Sequence, residues 1–170
     1  MPITPLSRSL RAGFAVLSAA AVLTGTAASA EAAAPAKYKT HAEAAAQLRK
    51  AGVNWSSSGG CSNRERTDCT SFEKINKASI AGVIAFKKAT RCAIRVTGGT
   101  ERGHAAGTYS HYNGYKIDIA LNTCVNKYIA DRFRYAGKRG DGALLYKSPG
   151  GNVYAREGSH WDITYYHGRV

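Results

Sequence analysis

The sequence predicts an α+β domain in which helices pack on a small, mainly antiparallel sheet. Two observations support this class. The segments 40–50 and 70–88 begin with a helix-capping pattern and continue with residues suited to helices. The second half of the chain instead contains short β-prone runs separated by Gly, Pro and Asn turns, as in 143–154 and 161–166. No internal repeat is visible, so we expect one domain of this class.

The N-terminus has the pattern of a secretory signal peptide. Arg8 and Arg11 form a positive region, and residues 12–24 are apolar but short and rich in Ala and Gly for a membrane span. Residues 28–30 match the small-residue cleavage rule. We therefore expect residues 1–30 to be removed on export, and we favour this over an N-terminal membrane anchor.

The remaining 140 residues are enough for one domain with a hydrophobic core. We expect an Ala/Pro-rich disordered leader over 31–39 and the folded domain over 40–170. Without Arg8 and Arg11, 22 basic side chains face 11 acidic ones, which leaves a net charge of +11. This balance indicates an anionic partner: a cell-wall polymer, an anionic membrane surface or extracellular nucleic acid. A basic surface that only aids solubility is the alternative.

The four cysteines fit two disulfides in an oxidising compartment. They lack the C-x-x-C spacing typical of thiolate metal sites. Of the three pairings that four cysteines allow, we favour the two that join sequence neighbours. These are Cys61 with Cys69, closing a local loop, and Cys92 with Cys124, tying a strand to a helix.

The first half of the domain contains two capping boxes. Thr40 with Glu43 predicts a helix up to about Lys50, ended by Gly52, and a Gly/Ser/Asn-rich loop over 54–68 follows. Thr70 with Glu73 predicts the start of the main core helix, which we expect to run to Lys88.

The second half reads mostly as strands. A β-prone run over 92–96 ends in a turn at 97–99, and Asn122 can cap a helix that continues to about Phe133. A hairpin is expected around Ser148-Pro149-Gly150-Gly151, between strands over 143–146 and 152–154, and a last strand covers 161–166.

The stretch Y-S-H-Y-N-G-Y-K-I-D-I-A, residues 109–120, contains two candidate metal ligands. Asn113-Gly114 predicts a two-residue hairpin, because both residues tolerate the positive φ of a type I′ turn. The hairpin would pair His111 with Lys116, and side-chain alternation would place Asp118 on the same face as His111. An imidazole and a carboxylate would then converge.

A second pair of candidate residues lies near the C-terminus. Glu157 and His160 are three residues apart, and Gly158-Ser159 permits a turn that brings both to one side. His111, Asp118 and His160 would give zinc three protein ligands with the fourth position open, which is the catalytic arrangement. A glutamate beside such a site and off the metal suits a general base.

The order His-x6-Asp followed by Glu-x2-His resembles the zinc D-Ala-D-Ala carboxypeptidases and dipeptidases, which share a fold with the amino-terminal signalling domain of Hedgehog. The resemblance covers roughly residues 94–166. It implies this fold, zinc on His111, Asp118 and His160, and activation of water by Glu157.

The family also tends to have an arginine after a turn upstream of the first ligand, where the arginine orients substrate. Arg102, which follows Thr97-Gly98-Gly99, is our candidate for this role, with Arg95 as its rival.

Two other residues are of interest nearby. His104 either supports the ligands or is simply solvated, and Asp162 shares a strand face with His160 and either orients a ligand or pairs with an arginine.

The resemblance implies a secreted zinc metallopeptidase that hydrolyses peptidoglycan stem peptides at or near D-alanine, with the basic surface holding it to an anionic wall. We expect it to be extracellular or wall-associated, without a stable membrane anchor, and monomeric. The alternative is a zinc-stabilised wall-binding module without hydrolysis, because Tyr109 and Lys116 depart from the family pattern. A specific nucleic-acid binder is disfavoured, since no such motif is present.

Overall fold

The computed structural model describes residues 1–2 and 34–170. Apart from its first two residues, the predicted signal peptide 1–30 lies outside the described residues, as do residues 31–33 of the predicted leader. The rest of that leader contacts the folded chain. Ala36 accepts a backbone hydrogen bond from Lys77, and Tyr38 donates one to Ile75.

A seven-stranded mixed sheet and three helices make up residues 34–170, so the α+β class and the mainly antiparallel sheet are confirmed for this part of the chain. The sheet order is β1-β2-β3-β7-β6-β5-β4, and only the β1–β2 pair is parallel. The strands, in chain order, are β1 Asn54–Trp55, β2 Arg95–Gly98, β3 Lys116–Ala120, β4 Arg134–Lys138, β5 Leu144–Lys147, β6 Val153–Arg156 and β7 His160–Thr164. The β5–β6 hairpin and the last strand were predicted from the sequence, whereas β1 and β4 were missed.

Two of the three helices begin where the sequence predicts. Helix α1, His41–Lys50, has the full capping box between Thr40 and Glu43. Helix α3, Thr123–Arg132, is capped by Asn122, whose side chain accepts a hydrogen bond from the Val125 amide.

The prediction that the second capping box, Thr70 with Glu73, begins a helix is wrong. Helix α2 spans Lys77–Thr90 and begins seven residues after Thr70. The Thr70 hydroxyl instead donates to backbone carbonyls of Ser56 and Thr97 at 2.9 and 3.1 Å. Lys74 adopts a positive φ of 59°, which is incompatible with a continuous helix. Tertiary hydrogen bonds of this segment therefore outweigh its local capping pattern.

The hairpin predicted at Asn113-Gly114 is also wrong. Gly114 has φ 82°, but Asn113 is not among the described residues with positive φ, so the two residues do not form a type I′ turn. Residues 110–115 form a compact turn in which the Gly114 amide donates to the His111 carbonyl at 2.7 Å. Strand β3 pairs with β2 and β7 instead of folding back on residues 109–112.

The helices and the sheet enclose one hydrophobic core, and both predicted disulfides, Cys61–Cys69 and Cys92–Cys124, are confirmed. Helix α2 packs tightly at Gly82 against Tyr165, the residue that follows β7. A Cβ added there would lie 2.2 Å from the Tyr165 ring, so only glycine permits this contact. The core thereby fixes β3 and β7, which supply the side chains of the site.

Candidate metal centre

His111 lies in the turn before β3, with its ring buried. Its Nδ1 is 2.7 Å from the Gly99 carbonyl oxygen. A carbonyl oxygen only accepts, so Nδ1 must hold a proton, and in the neutral ring Nε2 has the free lone pair. This hydrogen bond fixes both the tautomer and the ring orientation.

Asp118 on β3 is the point where the predicted ligands meet. Its Oδ1 lies 3.2 Å from His111 Nε2 and 3.6 Å from His160 Nε2. This oxygen is inaccessible to solvent, and no described residue gives it a hydrogen bond of acceptable geometry. Two imidazole nitrogens thus converge on one buried carboxylate oxygen without a well-aligned hydrogen bond to it. A cation that accepts lone pairs from all three would satisfy them.

Gly98 on β2 makes room for the Asp118 carboxylate. The two residues are partners in the β2–β3 ladder at a register shift, and a Cβ added to Gly98 would lie 2.4 Å from Asp118 Oδ2. Any larger side chain would therefore displace the carboxylate.

Glu157 and His160 flank the turn before β7, as the sequence predicts. The Glu157 amide donates to the His160 carbonyl at 3.0 Å, which closes the turn. Glu157 Oε2 lies 3.3 Å from His160 Nε2, while Oε1 accepts a hydrogen bond from the Arg139 guanidinium. The glutamate is thus next to the three predicted ligands, and a cation holds one of its oxygens.

Asp162 lies directly opposite Asp118 in the antiparallel β3–β7 ladder. Two buried carboxylates at opposed positions repel each other. Asp162 Oδ2 is neutralised by Lys116 Nζ at 2.6 Å and by Arg139 at 3.0 Å, and Oδ1 lies 3.6 Å from His111 Nε2. Burial alone would raise the pKa of Asp162, but His111 and Lys116 outweigh it and hold this pKa well below its usual range.

The same carboxylates act on His111. Burial lowers the pKa of a histidine, yet Asp118 and Asp162 more than compensate and raise the pKa of His111 to about 10. Nε2 of the metal-free protein therefore holds a proton at neutral pH. Metal ions compete with protons for histidine nitrogens, so the carboxylates that attract this proton would equally attract a cation.

The cleft over these residues has a volume of about 650 Å³. Carboxylates outnumber basic side chains in and around it, since Asp118, Asp141, Glu157 and Asp162 face only Lys116 and Arg139. With the histidines neutral, the balance is two negative charges. A divalent cation would neutralise it, and the mixed nitrogen and oxygen donors suit zinc.

The arginines predicted to orient substrate are elsewhere. The Arg102 side chain is 57% exposed, pairs with Glu65 and is not among the residues lining the cleft. Arg95 is exposed on β2. The arginine in the cleft is Arg139, which directly follows β4; sequence reasoning missed it because β4 was not predicted.

His104 is closer to the centre than a solvated histidine would be. Its ring stacks on His111 with centroids 3.8 Å apart, and its Nδ1 lies 3.8 Å from Asp118 Oδ2. Ligand atoms of His104, His111 and Asp118 all lie within 4.8 Å of one another, so these three also form a candidate metal group. However, His104 Nε2 already contacts the buried Glu101 carboxylate at 3.2 Å.

Another group of potential ligands is Cys61, Asp68 and Cys69. The two cysteines form a disulfide, so they offer no thiolates to a metal. We therefore place the candidate metal centre at Asp118.

Comparisons of the chain with models of protein families, with curated proteins and with solved structures found no match. Among the described residues, no helix has both the length and the apolar character that crossing a membrane requires.

Proposed function

We propose that this chain is a secreted zinc metallopeptidase that hydrolyses peptidoglycan stem peptides, of the D-Ala-D-Ala carboxypeptidase or endopeptidase type. The observation that supports this most is the position of Glu157. Its carboxylate contacts His160 Nε2 but is not the oxygen on which the two imidazoles converge. A glutamate beside the ligands and off the metal is what a hydrolase needs and a structural site does not.

His111, Asp118 and His160 would hold the metal. Bound zinc would supply Lewis-acid chemistry, lowering the pKa of a water and polarising the scissile carbonyl. Glu157 is placed to take a proton at its Oε2 and to return it to the leaving amine. Asp162 keeps Lys116 and Arg139 in place beside the cleft, and these cations can orient a carboxylate of the stem peptide. In this proposal Arg139 takes the role that the sequence suggested for Arg102.

Export and wall association belong to the same proposal. The two disulfides fit an oxidising compartment, and the excess of basic side chains suits an anionic wall. We expect the protein to act as a monomer.

The test is mass spectrometry of purified peptidoglycan incubated with the zinc-loaded protein, beside Glu157→Gln. Loss of a general base costs roughly 10²–10⁴-fold, so new stem-peptide products should form with the wild type and nearly vanish with the variant. Glu73→Gln is the matched control, because Glu73 is a glutamate that does not line the cleft. Equal product yields from wild type and Glu157→Gln, with zinc bound to both, would refute the mechanism.

One observation favours the second candidate, a zinc-stabilised wall-binding module without hydrolysis. Arg139 donates to Glu157 Oε1, so a guanidinium already occupies one oxygen of the carboxylate that would act as the base. If wild type and Glu157→Gln both bind zinc and peptidoglycan but neither releases products, this module is the correct assignment.

A further inference from the structure

The far edge of the sheet has three basic side chains around a depression that shares no residue with the metal cleft. Arg132 ends helix α3, Arg134 begins β4, and Lys147 ends β5. Together with the turn over residues 148–151 they line a depression of about 480 Å³. Arg132, Arg134 and Lys147, here called the edge cations, are all exposed.

Two of the edge cations oppose each other in the sheet. Arg134 and Lys147 are direct partners in the antiparallel β4–β5 ladder, so their side chains leave the same face a short distance apart. Like charges at such positions are destabilising. Among the described residues, no carboxylate lies within 4 Å of any edge cation.

Simpler explanations cover only part of this arrangement. Arg132 lies in the last turn of α3, where a cation interacts favourably with the helix dipole. One charge on β4, the edge strand, would discourage pairing with another sheet. Neither reason requires Arg134 and Lys147 to face each other without a counter-ion, and an anion between them would remove their repulsion.

The lining residues indicate what kind of anion fits. The guanidinium group matches a phosphate in geometry as well as in charge. Three cations exceed the single charge of one phosphodiester, so a chain of successive phosphates satisfies them better than one isolated group. The depression has no aromatic side chain on which a base could stack and no large apolar side chain to enter a membrane.

We propose that the edge cations form a binding site for a phosphodiester-linked polymer of the cell surface, separate from the metal centre. This goes beyond the proposed peptidase activity, because it concerns where the protein is retained and does not depend on hydrolysis. The depression and the metal cleft have no lining residue in common, so a polymer held by the edge cations leaves the cleft open.

The experiment measures binding of the whole protein to soluble poly(glycerol phosphate) by calorimetry at physiological salt. The test variant is Arg134→Gln/Lys147→Gln. Its control is Lys50→Gln/Lys88→Gln, which removes the same charge from exposed lysines on α1 and α2. A basic residue at an anionic surface contributes about 5-fold to affinity, so removing two should weaken binding by roughly 10-fold or more in the test variant and by about 2-fold in the control.

Three other results would overturn the proposal. Equal weakening by both variants would mean that net charge alone attracts the polymer. Unchanged binding with increased aggregation of the Arg134/Lys147 variant would mean that these charges only protect the sheet edge. Binding to phosphatidylglycerol vesicles or to a single-stranded oligonucleotide, without binding to the polymer, would assign the site to a membrane or a nucleic acid.

Discussion

The sheet contains two pairs of like charges at directly opposed positions, and they differ in how their repulsion is relieved. Asp118 and Asp162 face each other between β3 and β7, buried, with His111, Lys116 and Arg139 in contact. Arg134 and Lys147 face each other between β4 and β5, exposed, and no carboxylate of the described residues lies within 4 Å of them.

The difference between the pairs follows from solvation. In the low dielectric of the interior, two carboxylates are tolerable only with cations close by, so the protein surrounds them with basic groups. At the surface, water and salt screen the two cations, and the repulsion is small enough to persist. The buried pair therefore has its counter-charges built in, whereas the exposed pair has no carboxylate within 4 Å among the described residues.

The largest expected effect is at the buried pair. Asp118→Asn removes the oxygen on which both imidazoles converge. It should therefore weaken zinc binding by more than the roughly 100-fold that is typical of losing a residue that hydrogen-bonds to a metal ligand. Asp162→Asn should cost only about 10-fold, since Asp162 is engaged by Lys116 and Arg139. Competition with a chromophoric chelator measures both affinities. Equal losses would show that the two carboxylates are not distinct in role.

His160 and His104 distinguish the two candidate ligand groups, because each belongs to only one of them. His160→Ala should lower zinc affinity roughly 100-fold, and His104→Ala by about 10-fold, if His104 supports His111 from its stacked position. The reverse order would assign the metal to His104, His111 and Asp118. Zinc content after dialysis and chelator competition give the answer, with His41→Ala as the control from outside the cleft.

Gly98→Ala tests the space that the Asp118 carboxylate needs. The added Cβ would lie 2.4 Å from Oδ2, so the carboxylate must move, and we expect about 10-fold weaker zinc binding with a loss of about 1–3 kcal/mol in unfolding free energy. Gly140→Ala is the control, because its added Cβ meets nothing within 4 Å. Denaturant unfolding and chelator competition should separate the two variants, and identical behaviour would contradict the assigned role of Gly98.

The raised pKa of His111 predicts how the stability of the metal-free protein depends on pH. Its value of about 10 exceeds the usual 6.5, so its contribution to stability is complete below pH 6.5 and is lost as pH rises towards 10. The melting temperature should fall by on the order of 10 °C across this range. His111→Gln should lack the fall, and zinc should suppress it in the wild type, since the metal replaces the proton. A pH-independent melting temperature of the metal-free wild type would exclude a protonated His111.

The smallest effect is expected at the exposed pair. Arg134→Glu converts a like-charge pair into an opposite-charge pair and should stabilise the fold by about 0.2–1 kcal/mol in low salt. Arg95→Glu, at an exposed arginine on β2, is the control for the change in net charge. Denaturant titration at low and high salt measures the difference, which should shrink in high salt. A destabilised Arg134→Glu would mean that Arg134 makes a favourable contact that outweighs its repulsion of Lys147.

The sequence anticipated the parts of the structure that depend on neighbouring residues. The capping box at Thr40 and the Asn122 cap formed as predicted, because each needs only three or four consecutive residues. The turn at Gly158-Ser159 likewise brings Glu157 and His160 together.

Local sequence patterns gave wrong predictions where backbone groups from distant parts of the chain compete for the same hydrogen bonds. Thr70 caps no helix, because its hydroxyl bonds to the carbonyls of Ser56 and Thr97. The Asn113-Gly114 hairpin does not form, because β3 finds its partners in β2 and β7. His111 nevertheless reaches Asp118 from a turn. The distant Gly99 carbonyl sets the orientation of the His111 ring.

By itself the sequence determined the α+β class, two helix starts and the residue types that could hold a metal, since these follow from composition, spacing and local hydrogen bonding. The disulfide pairs were favoured for their proximity in the chain, and the structure confirmed them. Only the tertiary structure decided which cations enter the cleft. Arg139 does so and Arg102 does not, and Asp118 faces Asp162 while Arg134 faces Lys147. Strand order and register bring together residues that are remote in the chain, and no local pattern specifies them.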